Sequence, residues 1–263
     1  MNEETKAIAK ERVAAKPILL EGEPWMDILW DLFCPGCQIP LVGRIIGEAF
    51  AELGIGDKAI MVGSVGCTGI LIASIMVDRV GPAHGRGPDV ATALKRIRPD
   101  TLVFTVQGDG DCIAIGAGPL VGALTRGEKI TIIMVNNTNY GTTGGQMAPT
   151  TLIRQVTTTT PQGRSPAAEG YPVHAAEFVA TFKGVAYSAR GSLHTPAHYK
   201  RTRGYVKTDL QRQLDGVGLS FVEIIAACPT NWHMTPVQSL KWIGTEVIAE
   251  FPLGEFKNVT HIE

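Results

Sequence analysis

Apolar positions along this chain fall into short unbroken runs, set apart by glycine turns or by stretches of helical spacing. The runs are AIMVG (59–63), TLVFTV (101–106), ITIIMVN (130–136), GVAYSA (184–189) and LSFVEII (219–225). They are rich in β-branched residues and show little polar alternation, the form strands take when both faces of their sheet are covered. The stretches between them predict helices near 39–53, 70–79, 89–98, 112–126, 174–183, 196–214 and 236–250. This alternation predicts an α/β fold with a doubly wound, mostly parallel sheet.

Residues 1–33 read as an N-terminal arm, because Pro17, Pro24 and scattered charges interrupt any period. Residues 138–172 are dense in Gly, Thr and Pro and read as a long loop region, which inside a compact domain is usually functional. No repeat or linker divides the chain, so residues 1–263 are expected to form one domain.

Composition narrows the function classes. The 24 Lys and Arg nearly cancel the 25 Asp and Glu, leaving no basic field for nucleic acid and no polybasic segment for a lipid surface. Residues 59–77 carry no charge, but Gly63, Gly66 and Gly69 in their middle fit a strand, a turn and a buried helix better than a membrane span. No nucleic acid or membrane partner is expected. The polar N-terminus shows no signal peptide, so a cytoplasmic location is expected. Five cysteines in such a chain point to metal, redox chemistry or plain burial rather than to a disulfide framework.

Two glycine-flanked polar turns carry the chemistry. The run TLVFTV leads into Gln107-Gly108-Asp109-Gly110-Asp111, and ITIIMV leads into Asn136-Asn137-Thr138-Asn139-Tyr140. In a parallel βαβ unit both turns emerge at one edge of the sheet, so Asp109 and Asn137 can meet there. A carboxylate, an amide oxygen and a backbone carbonyl are hard ligands suited to Mg²⁺, with diphosphate oxygens completing the octahedron. The glycines let backbone N–H groups approach phosphates at a helix start. An isolated Asp-Gly turn is as often a solvated turn; the asparagine pair after the next strand lowers that reading.

The cysteines add a second constellation. Cys34-Pro35-Gly36-Cys37 has metal-ligand spacing, although such a pair also serves zinc ribbons and dithiol sites. Cys67 lies in the glycine turn after the first run, and Cys228-Pro229 follows the last. Four thiolates can thus converge on the edge that carries Asp109, and four cysteines are the usual ligation of a [4Fe–4S] cluster. Cys112 reads as a small buried thiol.

The Gly-Asp-Gly turn, the Asn pair, Tyr140-Gly141-Thr142-Thr143-Gly144-Gly145-Gln146, the cysteine pair and Cys228-Pro229-Thr230-Asn231-Trp232 together resemble the thiamine-diphosphate-binding β subunit of 2-oxoacid:ferredoxin oxidoreductases, over most of the chain from Trp30 to about Phe256. The resemblance implies Mg²⁺ held by Asp109, Asn137 and the Asn139 carbonyl, and a [4Fe–4S] cluster held by Cys34, Cys37, Cys67 and Cys228. It implies cofactor contacts from Val65, Gly66, Cys67, Thr68, His84, Gly85, Gly108, Gly110, Asp111, Gly141 and Thr142. Members of this family often continue the cysteine pair with Gly-His, where this chain has Gln38-Ile39, so contacts from that turn stay open.

The implied reaction is oxidative decarboxylation of a 2-oxoacid, with coenzyme A as acyl acceptor and ferredoxin as electron acceptor. The nearest resemblance is to members acting on 2-oxoisovalerate or 2-oxoglutarate. No catalytic residue is assigned to this chain, because the resemblance places the activating Glu on a partner subunit. Partners would also include a gamma subunit and a ferredoxin-like subunit. Two other readings stay open: a non-redox thiamine-diphosphate decarboxylase or synthase subunit, and a zinc-stapled scaffold. Arg164, Arg190, Lys200, Arg201 and Arg203 are expected mostly on a solvated face.

Overall fold

The computed structural model describes residues 32–262. The arm expected over 1–33 therefore lies almost wholly outside the described residues.

Helix α1 (Ile39–Leu53) turns an apolar face inward and stops at Gly54, whose left-handed φ of 64° lets its N–H bond back to the Phe50 carbonyl. Strand β1 (Ala59–Val62), a 3-10 segment (Cys67–Ala73), strand β2 (Asp78–Val80), helix α2 (Gly87–Ile97) and strand β3 (Leu102–Gly108) follow. A π turn (Asp111–Ile115) leads into α3 (Ala117–Arg126), then β4 (Thr131–Asn136) and a small hairpin of β5 (Asn139–Tyr140) and β6 (Gln146–Met147). The second half holds α4 (Pro166–Glu169), α5 (Ala175–Ala180), β7 (Val185–Ser192), α6 (Pro196–Leu214) and β8 (Leu219–Ile225). It closes with α7 (Pro229–Trp232), α8 (Pro236–Trp242), a π segment (Ile243–Val247), α9 (Ile248–Glu250) and β9 (Gly254–Asn258).

The main sheet has the order β2-β1-β3-β4-β8-β7-β9, and only β9 runs antiparallel to its neighbour. Alternate residues of the central strands serve opposite faces. Phe104, Val106, Ile133 and Val135 meet α1 and α6, whereas Val103, Ile132 and Met134 meet α2, α3 and α5. Each such side chain stabilises the fold by about 1.5–3 kcal/mol through its burial. On the first face Phe50 meets Phe104 edge to face at 5.3 Å. This is the doubly wound, mostly parallel α/β sheet that the alternation predicts.

Three expectations need correction. No buried helix covers 70–79: the 3-10 segment stops at Ala73, and 78–80 add an edge strand whose residues are all exposed. The helix expected over 236–250 is interrupted by a π segment. The sheet also gains β9, a half-buried, mostly polar edge strand that apolar pattern does not mark.

Candidate functional site

Register brings the turns together. Gly108 pairs with Val135 and Asn136 pairs with Ile225, so Asp109, Asn137 and Ala226 leave the sheet side by side. Together with the turn after β1 they frame a solvent-open cleft of about 580 Å³ at the C-terminal edge of the strands. Ligands of open α/β sheets bind at this edge. Val65, Gly66, Cys67, Thr68, His84, Gly108, Asp109, Gly110, Asp111, Asn137, Asn139, Gly141 and Thr142 all line it. Gly85 stands behind the wall, where its N–H donates to Asp111 Oδ1 at 2.8 Å. Ile39, Val135, Tyr140 and Thr143 complete the lining.

Asp109 is buried, with one oxygen accepting from its neighbour Gly110 N–H at 2.8 Å and the other from the Thr150 hydroxyl. Burial pushes its pKa up to about 7, against the lowering effect of those hydrogen bonds, and Glu223 adds to the rise. None of the influences on it is a cation. A buried carboxylate so placed fits a divalent ion, which would supply the missing positive charge. Asp111 is differently served. It accepts from Gly85 N–H and from Gln107 Nε2, and His84 Nδ1 stands within ion-pair reach without being aligned for a hydrogen bond. Gly110 must be glycine, because a Cβ there would run into the Tyr140 ring, whose hydroxyl donates to the Gly110 carbonyl.

The asparagine turn is built around a strained residue. Thr138 has φ 58°, a left-handed conformation that costs a β-branched residue energy and needs support from its surroundings. Its N–H donates to Asn136 Oδ1 at 3.0 Å, and its carbonyl accepts from the Thr151 hydroxyl at 2.6 Å. The Asn137 carbonyl is committed to Trp232 Nε1 and Asn139 Nδ2, while its side chain borders the cleft. The Asn139 side-chain oxygen instead points toward Asn231 Nδ2 and the Cys228 thiol. Any metal contact from Asn139 therefore has to come from its main chain.

The thiols gather beside this cleft. Cys37 N–H closes a turn on the Cys34 carbonyl, and that turn packs on Pro229 and Pro236 so tightly that Gly36 has no room for a Cβ. Gln38, unassigned from sequence, ties the turn down. Its amide oxygen accepts from Ala227 N–H at 2.9 Å and its amide nitrogen donates to the Leu193 carbonyl at 2.8 Å. Cys67 Sγ lies 2.9 Å from the Thr142 hydroxyl, and Asn231 Nδ2 bridges the Gly141 carbonyl and Cys228 Sγ. Burial pushes the Cys37 pKa up to about 12, and the charges of Cys228, Cys67 and Cys34 add to it. Burial also raises Cys67 and Cys228. Thiols that raise one another in this way fit a shared cationic centre. Among the described residues no three His, Cys, Asp or Glu side chains form a group that could grip a single metal ion. Cys112 is fully buried in the second core face.

Two arginines expected on a solvated face are buried. Arg164 donates to the carbonyls of Pro149, Thr151, Glu169, Gly170 and Tyr171, which holds the segment that supplies Thr150 and Thr151. Arg190 is fully buried between Glu177 and Glu223. Neither role leaves a sequence signature, because the partners are distant carbonyls or acids on other elements. No helix among the described residues is long and apolar enough to cross a membrane.

Comparison with known proteins agrees with this geometry. Residues 64–224 match the family described as thiamine pyrophosphate enzyme, C-terminal TPP binding domain. The ketoisovalerate oxidoreductase subunit VorA of Methanothermobacter thermautotrophicus is 40% identical over 226 residues, covering 86% of this chain and 47% of that subunit. The chain thus spans about half the length of the VorA relatives it matches. The 2-oxoglutarate synthase subunit KorB of the same organism is 34% identical over 247 residues, covering 86% of this chain and 82% of that one. In fold, the chain is similar to a solved 2-oxoglutarate:ferredoxin oxidoreductase from Magnetococcus marinus with 2-oxoglutarate, coenzyme A and succinyl-CoA bound. The TM-score is 0.77 at 23% identity, over 93% of this chain and 87% of that one. This chain belongs to the thiamine pyrophosphate enzyme family through its C-terminal TPP binding domain, among the subunits of 2-oxoacid:ferredoxin oxidoreductases.

Proposed function

We propose that this chain is the thiamine-diphosphate- and [4Fe–4S]-binding subunit of a coenzyme A-dependent 2-oxoacid:ferredoxin oxidoreductase, catalysing oxidative decarboxylation of a 2-oxoacid. The observation that carries the reading is proximity: the Asp109–Asn137 pair and the Cys67 thiol border one cleft, and Cys228 is tied to the Gly141 wall of that cleft through Asn231.

In this reading Asp109 and the Asn137 side chain hold Mg²⁺ with the Asn139 carbonyl, and the Mg²⁺ holds the diphosphate. Gly108, Gly110, Gly141 and Gly66 keep the backbone free of side chains where the cofactor approaches. Val65, Thr68, His84, Gly85, Asp111 and Thr142 shape the rest of the wall. Bound there, thiamine diphosphate supplies the electron sink that decarboxylation needs. Cys34, Cys37, Cys67 and Cys228 place a one-electron acceptor beside it. Electrons leave to ferredoxin, directly or through a ferredoxin-like subunit, and the acyl group leaves on coenzyme A. The higher identity to the VorA subunits than to KorB supports a 2-oxoisovalerate-type substrate ahead of 2-oxoglutarate. We place the protein in the cytoplasm, as a single α/β domain within a hetero-oligomer.

Iron and acid-labile sulfide assays on the anaerobically purified chain, free of its partner subunits, test the reading. About four of each per chain are expected, with loss or conversion of the cluster in Cys228→Ala and none in Cys112→Ala. Zinc in place of iron would support the scaffold reading. Bound thiamine diphosphate without iron would support a non-redox enzyme. A full iron complement in Cys228→Ala would remove that thiol from the ligand set.

A further inference from the structure

We propose that Arg190 and Glu223 act as a buried positioning pair that sets the direction of the asparagine turn for divalent-cation binding, an inference that rests on reading Asn137 as a cation ligand. Glu223 lies at zero exposure in mid-strand, hydrogen-bonded between β4 and β7, where an apolar residue is the ordinary choice. Its two oxygens are divided between two tasks. Oε1 accepts from Asn136 Nδ2 at 2.7 Å, and Oε2 accepts from Arg190 Nε at 2.8 Å and from Ala176 N–H at 3.3 Å. Arg190, also at zero exposure, turns its other nitrogens to Glu177 and to the Pro252 carbonyl, and its guanidinium lies near the rings of Phe251 and Phe256.

The chemistry of the donor set gives this network a direction. An ionised carboxylate only accepts hydrogen bonds, so Asn136 has to present its NH₂ group to Glu223 and its oxygen the other way. That oxygen accepts from Thr138 N–H at 3.0 Å. The bond pins the peptide of the residue held at φ 58°, between Asn137 and Asn139. With the peptide pinned, the Asn137 side chain borders the cleft and its carbonyl meets Trp232. Arg190 Nε and Ala176 N–H both donate to Glu223 Oε2, which leaves Oε1 to accept from the Asn136 NH₂ group and so sets the direction of that amide. An apolar pair of equal volume could fill the same core space at little cost to the fold. It could not orient the amide. The pair is therefore a positioning device for the turn, as outer partners of metal ligands commonly are.

The test uses the full chain assembled with its partner subunits and stripped of Mg²⁺ and thiamine diphosphate. The Mg²⁺ concentration that gives half-maximal thiamine diphosphate binding is measured by calorimetry. Wild type is measured first. Without Mg²⁺-dependent binding, the functional reading fails and this inference fails with it. Where wild type binds, Glu223→Gln and Asn136→Asp should each raise the Mg²⁺ requirement about tenfold or more, the usual loss when a metal ligand's outer partner is removed. Each single change spoils the donor–acceptor match. The double change N136D/E223Q restores one donor between the two positions and the original number of charges, and should return the requirement to within about threefold of wild type. Unchanged Mg²⁺ dependence in both single variants would overturn the positioning role alone. Should a single variant fail to assemble, the double decides: assembly with near-normal Mg²⁺ dependence supports the pair, and a double as defective as the singles overturns it.

Discussion

Asp109 and Asp111 stand two positions apart on one turn, yet their surroundings give them different work. Asp111 is anchored by the Gly85 N–H, Gln107 and His84, whereas Asp109 is buried with the Thr150 hydroxyl and the backbone N–H groups of Gly110 and Thr138 beside it. Asp109→Ala should therefore abolish Mg²⁺-dependent thiamine diphosphate binding. Asp111→Ala should weaken cofactor binding while leaving its Mg²⁺ dependence in place, because it loosens the turn at 84–86. Calorimetry at several Mg²⁺ concentrations separates the two outcomes, and equal effects would mean the acids are interchangeable. A third acid, Asp209, has no place in the cleft. It lies fully buried on the inward face of α6 near Ser220, with neither oxygen in an aligned hydrogen bond, and burial pushes its pKa well above the carboxylate range. The unfolded chain ionises this group above about pH 4 while the folded chain resists, so folding loses stability as pH rises. The loss runs to at most about 1.4 kcal/mol per pH unit until the folded pKa is reached. Asp209→Asn should raise the melting temperature at pH 8 and leave it nearly unchanged at pH 4, and equal melting of both proteins at pH 8 would refute this. Asp109 and Asn137 are legible in sequence as cleft residues because a buried strand and a polar turn are contiguous at each. Gln38, Thr150 and Glu223 are not, because their work depends on which distant backbone atoms the fold brings to them.

At the scale of elements, what the sequence reveals depends on how fully an element is covered. Helix α6 has its bounds set by chemistry at both ends. Thr195 caps the first turn by accepting from His198 N–H, Pro196 follows it, and the helix stops just before Gly216. The central strands β3, β4 and β8 are buried on both faces and read as unbroken apolar runs. Edge strands lack that mark. Asp78, Arg79 and Val80 in β2 are exposed, and Gly254–Asn258 in β9 is mostly polar, so neither has an apolar face to announce it. Residues 70–79 read as a helix for a related reason: the apolar residues there pack a short 3-10 segment against α1 rather than one face of a longer helix. One buried side chain ties the two ends of the segment 149–171 together. Arg164 serves five carbonyls there, and the same segment presents Thr150 to Asp109 and Thr151 to Thr138. Arg164→Met keeps the length of the stem and removes the donors. It should destabilise the protein by on the order of 3 kcal/mol, since several buried acceptors lose their partner. Limited proteolysis should then cut within 149–171 before the rest of the chain, and the Mg²⁺ requirement should rise. Wild-type resistance to protease would show that the loop holds itself.

The whole molecule offers half of a cofactor site. Its described residues form one main sheet with one cleft at the C-terminal edge, and the acids that line this cleft are Asp109 and Asp111. In the proposed reading Asp109 would be taken up by Mg²⁺, and Asp111 is held by the turn at 84–85, so neither would be free to exchange a proton with the cofactor's aminopyrimidine ring. No Glu borders the cleft among the described residues. In the proposed reading the activating Glu comes from a domain other than the one that holds the diphosphate, and the cofactor would bridge the two. The longer VorA relatives and the multi-subunit naming of this family agree with a site completed by further polypeptide. The cleft is also open to solvent, whereas a reactive carbanion has to be shielded from water until its electrons have left. In the proposed reading, a cluster held by the thiols beside the cleft would pass electrons on only with an acceptor docked nearby. We therefore expect the 263-residue chain on its own to bind thiamine diphosphate weakly and to reduce no viologen with any 2-oxoacid. Co-expression with the partner subunits should restore viologen reduction coupled to acyl-CoA formation, fastest with 2-oxoisovalerate-type substrates. Sustained 2-oxoacid-dependent reduction by the isolated chain, with partner subunits shown absent by mass spectrometry, would mean that an acid within this chain activates the cofactor.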